Sequence, residues 1–178
     1  MSLVGELVAL RPLEPADAEA LWRWSSDPDV IRWMDGVYPQ SLAQAMARGA
    51  DRPRNDFSNV LLGITPRSEP DRLVGVVRLR DAEPEQGRAE LDLYLGDKDC
   101  WGRGYATDAT RTVCRYGFGR MRLHLIALWV VADNVAARRV YEKVGFQEVG
   151  RHREAFRGDD GWHDMVLMDL LEGDLRRS

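Results

Sequence analysis

Two glycines that flank a single arginine, Gly102 and Gly104, precede a stretch with helical spacing of apolar residues at 104–118. Glycine adopts backbone angles that are closed to other residues and lets amide N–H groups approach an anion closely. The N-terminus of the following helix faces the same point with unpaired N–H groups and the positive end of its dipole. The pattern predicts a phosphate cradle, although a tight loop without a ligand would carry the same short motif.

The residues around this turn exclude the two commonest nucleotide motifs. A P-loop needs Gly-Lys-Ser/Thr after four intervening residues, and a dinucleotide fingerprint needs a third glycine or alanine where this chain has Thr107. Residues 89–95, before the turn, alternate apolar and polar side chains as a strand does. The sequence thus predicts a strand, a glycine-rich turn and a helix in that order.

Polar side chains that could handle protons or bind a ligand lie on both sides of the turn. Glu90, Asp92 and Tyr94 share one face of the strand, because side chains alternate with period two. A carboxylate there could act as a general base, and a solvated strand edge would carry the same residues. Asn134 could cap a helix at 135–144, worth about 1 kcal/mol, or bind a ligand; Asp133 could cap that helix instead.

Hydrophobic periodicity and cap residues predict the elements that would position these groups. Helices are expected from the Glu14-Pro15-Ala16-Asp17 start signature to about Trp24, after Asp27-Pro28, at 41–49 behind a Ser41 cap, at 104–118 and at 135–144. Strands are expected near 4–11, 57–65, 71–80, 88–95, 123–131, 146–154 and 162–170. Without a repeat or linker to divide it, the chain is expected to form a single α+β domain over residues 1–178.

Composition narrows the class of protein. A chain of 178 residues buries roughly 70% of its unfolded surface and needs no disulfide or metal to hold its core. Cys100 and Cys114 are expected to be free thiols, and the three histidines lack metal-ligand spacing, so no metal site is predicted. No signal segment appears, and no apolar run approaches the roughly 20 residues of a membrane span. The sequence therefore predicts a cytoplasmic protein without a membrane partner.

The net charge of the chain favours a cationic acceptor over nucleic acid. The formal net charge is −4, which argues against broad nucleic-acid binding and mildly favours a cationic acceptor. Six tryptophans in a small acidic domain leave apolar surface available for a homodimer.

Three separated motifs together resemble the GNAT N-acetyltransferase superfamily, with the ribosomal-protein N-terminal acetyltransferase-like group as the nearest branch. They are Trp101-Gly102-Arg103-Gly104-Tyr105-Ala106-Thr107 before a helix, Asn134, and Tyr141-Glu142-Lys143-Val144-Gly145-Phe146. The resemblance covers nearly the whole chain. Trp101 stands where the superfamily usually has Gln or Arg, but tryptophan is common in this branch.

The resemblance implies a role for each motif. Residues 101–106 would bind the pyrophosphate of acetyl-CoA, and Asn134 would contact its pantetheine arm. Tyr141 would protonate the departing thiolate, unless it is a core tyrosine. Glu90 resembles the glutamate that draws a proton from the acceptor amine in the N-terminal acetyltransferase-like group, with Asp92 or a water as the alternative base. The fold implied is a mixed, mostly antiparallel twisted sheet flanked by helices, with the cofactor cleft between the strands near 88–95 and 123–131.

The implied reaction is direct attack of an amine on the thioester of acetyl-CoA, without a metal or a covalent enzyme intermediate. The acceptor could be a protein N-terminus or a small-molecule amine, including a polyamine or an aminoglycoside, because the motifs bind the cofactor rather than the amine. A non-catalytic acyl-CoA-binding sensor is the alternative from another class.

Overall fold

Eight strands form one sheet in the computed structural model, which describes residues 2–176. They are β1 (Leu3–Val4), β2 (Val8–Pro12), β3 (Asn59–Pro66), β4 (Gly75–Glu83), β5 (Arg88–Leu95), β6 (Leu125–Val131), β7 (Gln147–Gly158) and β8 (Gly161–Leu171). Their spatial order is β1-β2-β3-β4-β5-β6-β8-β7. The β5–β6 pair is parallel and the other described pairs are antiparallel, which confirms the predicted mixed, mostly antiparallel sheet.

Five helices flank the sheet, and their ends follow the predicted cap signals. They are α1 (Ala18–Ser25), α2 (Pro28–Ile31), α3 (Leu42–Ala50), α4 (Tyr105–Gly119) and α5 (Val135–Val144). Ser41 caps α3 and exchanges side-chain hydrogen bonds with Gln44, so both orphan N–H groups are satisfied. Helix α5 ends at Gly145, whose φ of +119° is a conformation that other residues adopt only under strain.

The parallel seam between β5 and β6 is short. Three residue pairs join the strands: Arg88 with Leu125, Ala89 with Ile126 and Glu90 with Ala127. Beyond these pairs the strands diverge, and a cavity lined by residues of both strands opens between them. The predicted opening between these two strands is therefore present. Strand β6 begins at Leu125 rather than at residue 123, because the residues just before it hydrogen-bond to the Gly87 and Gly117 carbonyls instead.

The core lies between the sheet and α4. Val113 of α4 is fully buried, as are Leu79 of β4 and Ile126 of β6, while Leu91 of β5 is nearly so. Burying each such aliphatic side chain stabilises the fold by about 1.5–3 kcal/mol. Because α4 packs against β2, β4 and β5, this burial fixes the N-terminus of α4 beside the end of β5.

The first predicted strand, near 4–11, is wrong in its middle, where residues 5–7 separate β1 from β2. The buried carboxylate of Asp108, in the first turn of α4, accepts hydrogen bonds from the backbone N–H groups of Glu6, Leu7 and Val8 at 2.8–3.1 Å. A Cβ added at Gly5 would lie 2.4 Å from that carboxylate. This contact holds the N-terminal segment against α4, and no local sequence signal predicts it.

Candidate active site

A cavity of about 710 Å³ opens where β5 and β6 diverge. Side chains of β4, β5, β6 and α5 line it, together with the segment Trp33–Asp35. Four of the residues singled out from the sequence lie on its wall: Asp92, Tyr94, Asn134 and Tyr141. Aromatic side chains make much of the remaining surface: Trp33, Trp129 and Phe156.

The glycine-rich turn has the backbone geometry that a phosphate cradle requires. Gly102 and Gly104 have φ values of +72° and +82°, in the left-handed region that favours glycine. Helix α4 starts directly after Gly104, and its first backbone hydrogen bond runs from the Asp108 N–H to the Gly104 carbonyl at 3.0 Å. A glycine cap offers no side-chain oxygen, so the first-turn N–H groups of Tyr105 and Ala106 are left for an anion.

Trp101 fixes the turn to the end of β5. Its indole N–H donates to the carbonyl of Leu95, the last residue of β5, at 3.0 Å, and 44% of the residue is exposed. Arg103 is exposed, and its charge helps Arg72 to lower the pKa of the Asp99 carboxyl. The turn therefore combines an exposed positive side chain with open backbone N–H groups.

A polar cluster holds the connector between β5 and the turn. Asp97 accepts from the Trp24 indole N–H at 2.9 Å and pairs with Arg72 at 3.0 Å. A Cβ added at Gly96 would overlap the Trp24 ring, so the backbone runs directly against it. This packing sets the path by which the chain leaves the cavity wall and enters the turn.

Asn134 caps α5, as one of its two sequence interpretations predicts. Its side-chain oxygen accepts from the Ala137 N–H at 3.2 Å. The alternative cap, Asp133, hydrogen-bonds His163 instead. The cap uses the oxygen of the Asn134 amide, which leaves its NH₂ group for a ligand in the cavity that the residue lines. The two roles are therefore compatible.

Tyr141 lies on the cavity wall with 6% of its surface exposed. Burial raises the pKa of its phenol far above the usual value, and the negative charge of Asp92 adds to the shift. The ring packs edge-to-face against Phe146, with the centroids 5.7 Å apart. Tyr141 is therefore a neutral hydrogen-bond donor at physiological pH.

The two candidate base carboxylates bind the same arginine. Arg80 of β4 places Nη2 2.7 Å from Glu90 and Nε 2.7 Å from Asp92, and its Nη1 also pairs with Asp81. Asp92 lines the cavity, whereas Glu90 lies at the last position where β5 still pairs with β6. The structure thus brings Asp92, rather than Glu90, onto the wall that holds Tyr141.

Sequence reasoning missed the arginines of β4. Arg78 and Arg80 line the cavity, while Val77 and Leu79 between and beside them are buried. The alternation of Val-Arg-Leu-Arg was the available signal, because it places both arginines on the face that carries Glu90 and Asp92 of β5. The Trp33 ring, which lines the cavity, also packs edge-to-face against His163, with the ring centroids 5.3 Å apart.

Residues 2–176 contain no group of three or more His, Cys, Asp or Glu side chains that is placed to hold a metal ion. Cys100 and Cys114 are free and buried, and burial raises the pKa of both thiols. None of the helices in the described part of the chain is long and apolar enough to cross a membrane.

Comparison with known proteins gives a consistent family. Residues 8–147 match the family model described as the acetyltransferase (GNAT) domain. The chain is 30% identical to the probable N-acetyltransferase YjcK of Bacillus subtilis (strain 168), over 97% of this chain and 98% of that protein. It is 26% identical to the putative ribosomal N-acetyltransferase YdaF of the same organism, over 95% of this chain and 93% of that protein.

Among solved structures, a spermidine N-acetyltransferase from Vibrio cholerae in complex with CoA and spermine has the same fold. The TM-score is 0.79 with 21% sequence identity, and the match covers 94% of this chain and 97% of the other.

Proposed function

This chain belongs to the GNAT family of acetyltransferases, and we propose that it transfers an acetyl group directly to a primary amine in the cavity between β5 and β6. Membership of the family makes it an acyltransferase with acetyl-CoA as cosubstrate. The observation that carries the proposal is the position of Tyr141 and Asp92 together on the wall of the cavity where β5 and β6 diverge. The open N-terminus of α4 belongs to the turn that Trp101 holds to the carbonyl of Leu95, at the end of β5.

Acetyl-CoA would lie with its pyrophosphate on the turn formed by residues 101–106. The N–H groups after Gly104 would donate to the phosphate oxygens, and Arg103 would add a positive charge. The pantetheine arm would then enter the gap between β5 and β6, where the Asn134 amide can donate to it. This path brings the thioester to the part of the cavity wall that carries Tyr141.

In the proposed reaction the neutral amine attacks the thioester carbonyl. The new C–N bond forms as the C–S bond breaks, the sulfur leaves as the thiolate of CoA, and a carboxylate takes the proton that the amine loses. Holding both reactants in one cavity supplies much of the acceleration through effective molarity. Positioned proton transfer adds about 10²–10⁴ in rate.

We assign the base to the Glu90–Asp92 pair, with Asp92 as the member that contacts the acceptor, directly or through water. Asp92 is on the cavity wall and Glu90 is not among the residues that line it. Glu90, the first choice from the sequence, would then hold Arg80 in place and limit its competition for Asp92.

Tyr141 is proposed to stabilise the leaving thiolate rather than to give up its proton fully. An ordinary phenol has a pKa near 10 and a thiol near 8.5, so full transfer is already uphill by about 2 kcal/mol. Burial raises the pKa of Tyr141 further and makes the transfer still less favourable. A hydrogen bond from the neutral phenol to the sulfur needs no such transfer.

The acceptor is proposed to be a protein N-terminus or a small-molecule amine. YdaF is named as a putative ribosomal N-acetyltransferase, and the Vibrio cholerae structure holds spermine, a polyamine, so relatives point to both classes. Thiol release from acetyl-CoA, measured with a panel of peptides, polyamines and amino acids, tests the proposal. If acetyl-CoA binds and no amine on the panel releases thiol, the chain is an acyl-CoA sensor.

A homodimer is proposed through the β7–β8 edge of the sheet. Trp162 of β8 is 61% exposed beside the edge strand β7, which leaves an apolar side chain available next to that edge. Sedimentation of the parent and of Trp162→Glu tests this: the parent should sediment as a dimer and the variant as a monomer. A monomeric parent would contradict it.

A further inference from the structure

Arg78 brings a positive charge to the cavity wall with no counterion beside it. The half-buried side chain lies on β4, and its Nε donates to the side-chain oxygen of Asn59. No carboxylate of residues 2–176 lies within 4 Å of its guanidinium, and its terminal nitrogens donate to no other described residue. A guanidinium carries five N–H donors in a planar fork, so those that remain match a carboxylate.

The neighbouring arginine explains why Arg78 is left alone. Strand register places Arg78 directly opposite Asp92, but the Asp92 carboxylate hydrogen-bonds Arg80 instead. Arg80 also forms ion pairs with Glu90 and Asp81, so it pairs with three carboxylates, whereas Arg78 pairs with none of the described ones. A partly desolvated cation without a counterion is unfavourable, and a ligand anion removes that cost.

A second unpaired arginine lies close to the same wall. Arg52 is partly buried near Tyr94 and makes no ion pair with the residues that the structure describes. Burial lowers its pKa, with the charges of Asp17 and Tyr94 acting in the other direction. The Asp17 carboxylate is itself occupied by a two-pronged pair with Arg11. Among the charged side chains that line the cavity itself, Arg78 and Asp35 are the two that form no ion pair with a described residue.

We infer that the acceptor amine carries a carboxylate close to its amino group, and that Arg78 binds that carboxylate while Asp92 faces the amine. The inference rests on the proposed acetyl transfer. Directly opposed residues of an antiparallel pair have Cα atoms about 4.5–5.5 Å apart, so the Arg78 and Asp92 side chains extend from neighbouring positions on the same face of the sheet. A free α-amino acid fits this spacing, as does a peptide with an acidic residue at its N-terminus.

The rest of the cavity narrows the class of acceptor. Trp33, Trp129 and Phe156 offer aromatic surface for an apolar side chain next to the charged groups. A polyamine carries several positive charges and would place one of them against Arg78, which disfavours it.

The test compares acceptors that differ in the carboxylate alone. L-phenylalanine is paired with L-phenylalaninamide, and the peptide amide Asp-Phe-NH₂ with Asn-Phe-NH₂, with spermidine as the polycation. kcat/KM is measured at saturating acetyl-CoA for the parent and for Arg78→Met, Arg78→Lys and Arg88→Met. Arg88 is an exposed arginine of β5 that pairs with Glu83 and serves as the matched control.

Arg78→Met should lower the preference for the carboxylate-bearing member of a pair by roughly 10- to 100-fold, and Arg88→Met should leave it within about threefold. Arg78→Lys should keep part of the preference. Comparing ratios between variants cancels the different pKa values of the acceptor amines. The pair that responds identifies a free amino acid or an acidic N-terminus. The inference is overturned if Arg78→Met lowers kcat/KM equally for all acceptors. It is also overturned if spermidine is the best acceptor of the parent.

A binding measurement separates this inference from the proposed function. N-acetyl-L-phenylalanine keeps the carboxylate and needs no turnover, so its affinity for the CoA-bound protein is measured by calorimetry beside that of N-acetyl-L-phenylalaninamide. Tighter binding of the acid, lost in Arg78→Met, supports the carboxylate site even if no amine is acetylated. Equal binding of the two compounds to the parent overturns it even if acetylation occurs.

Discussion

Glu90 and Asp92 form ion pairs with two different nitrogens of one guanidinium, that of Arg80, at 2.7 Å each. The two carboxylates stand two residues apart on one face of β5, at the point where β5 leaves β6. The shared arginine couples them, because removing one carboxylate frees Arg80 to bind the other more closely. Their roles can therefore be separated by isosteric amides, which keep an oxygen for Arg80 and remove the basic group.

The first prediction concerns this pair. Asp92→Asn should lower kcat/KM by roughly 10²–10⁴ at pH 7, the range expected for loss of a positioned general base. Glu90→Gln should cost less than about tenfold, because the glutamine amide keeps an oxygen beside Arg80 and Asp92 stays in place. Steady-state kinetics on the two variants and the parent make the comparison. The reverse order would identify Glu90 as the base.

The pH dependence of the Asp92→Asn defect reports on the acceptor. The α-amino group of a peptide has a pKa near 7.7–8.0, so about a tenth or more is neutral at pH 7, whereas a polyamine nitrogen near 10.4 is neutral in fewer than one molecule in a thousand. With an α-amino acceptor the defect should shrink above about pH 8. With a polyamine it should persist to much higher pH. Profiles of kcat/KM from pH 6 to 10 distinguish the two.

The second prediction is that Tyr141→Phe lowers kcat by roughly 10- to 100-fold and leaves the Kd for acetyl-CoA within about twofold. The lost interaction is a hydrogen bond to a developing charge, which is worth about 1.5–3 kcal/mol. Tyr116→Phe, on α4 and away from this cavity, is the matched control and should change neither quantity. If Tyr141→Phe leaves turnover unchanged, Tyr141 only packs in the core and has no role in catalysis.

The third prediction is that acetyl-CoA stabilises the fold. A ligand that binds the native state alone adds about 2.7 kcal/mol at a hundredfold excess over Kd, which raises Tm by roughly 5–10 °C for a chain of this size. Gly104→Ala should remove most of this rise, because φ is +82° and an added Cβ would lie 3.3 Å from Leu7. A thermal-shift titration gives the answer.

Gly161→Ala is the control for backbone strain. Gly161 also has a positive φ, +132°, and open space around it, but it lies in the β7–β8 turn. The Gly161→Ala variant should have a lower Tm without ligand and should still show the full rise in Tm when acetyl-CoA is added. No rise in the parent would contradict the cofactor-binding role of the turn.

The fourth prediction concerns Asp108. Asp108→Ala should lower the free energy of unfolding by about 2–4 kcal/mol, because three backbone N–H groups lose a charged acceptor and that of Val8 is buried. Urea denaturation measures the loss. Thr107→Ala, one residue earlier, should stay within about 0.5 kcal/mol of the parent. A comparable loss in both variants would mean that the helix, rather than the carboxylate contact, is responsible.

The fifth prediction follows from His163. Hydrogen bonds to the carboxylates of Asp133 and Asp160 raise the pKa of this imidazole. A raised pKa in the folded state gives stability that is fully present below the ordinary value near 6.5 and is lost as pH rises through the folded value. The stability difference between the parent and His163→Gln should therefore be larger at pH 5.5 than at pH 9. A difference independent of pH would contradict the assignment.

The sequence was most informative where local chemistry decides the structure. Helix α5 has the predicted bounds because a cap residue and a glycine mark its two ends, and the positive φ values at Gly102 and Gly104 follow from residue type. The break between β1 and β2 could not be foreseen, because its cause is Asp108, about a hundred residues away. The Arg78 environment was equally hidden, since it depends on which arginine Asp92 binds across the strand.

The short β5–β6 seam divides the sheet into two plates, one of five strands and one of three, joined by three residue pairs and by the contact of α4 with α5. Such a seam is the most compliant line of the sheet, because few backbone hydrogen bonds cross it. A ligand that spans the gap touches both plates and acts as a brace between them. Amide exchange should then slow on each side of the gap when it is filled, so rigidity of the whole sheet becomes a property of the complex rather than of the free chain.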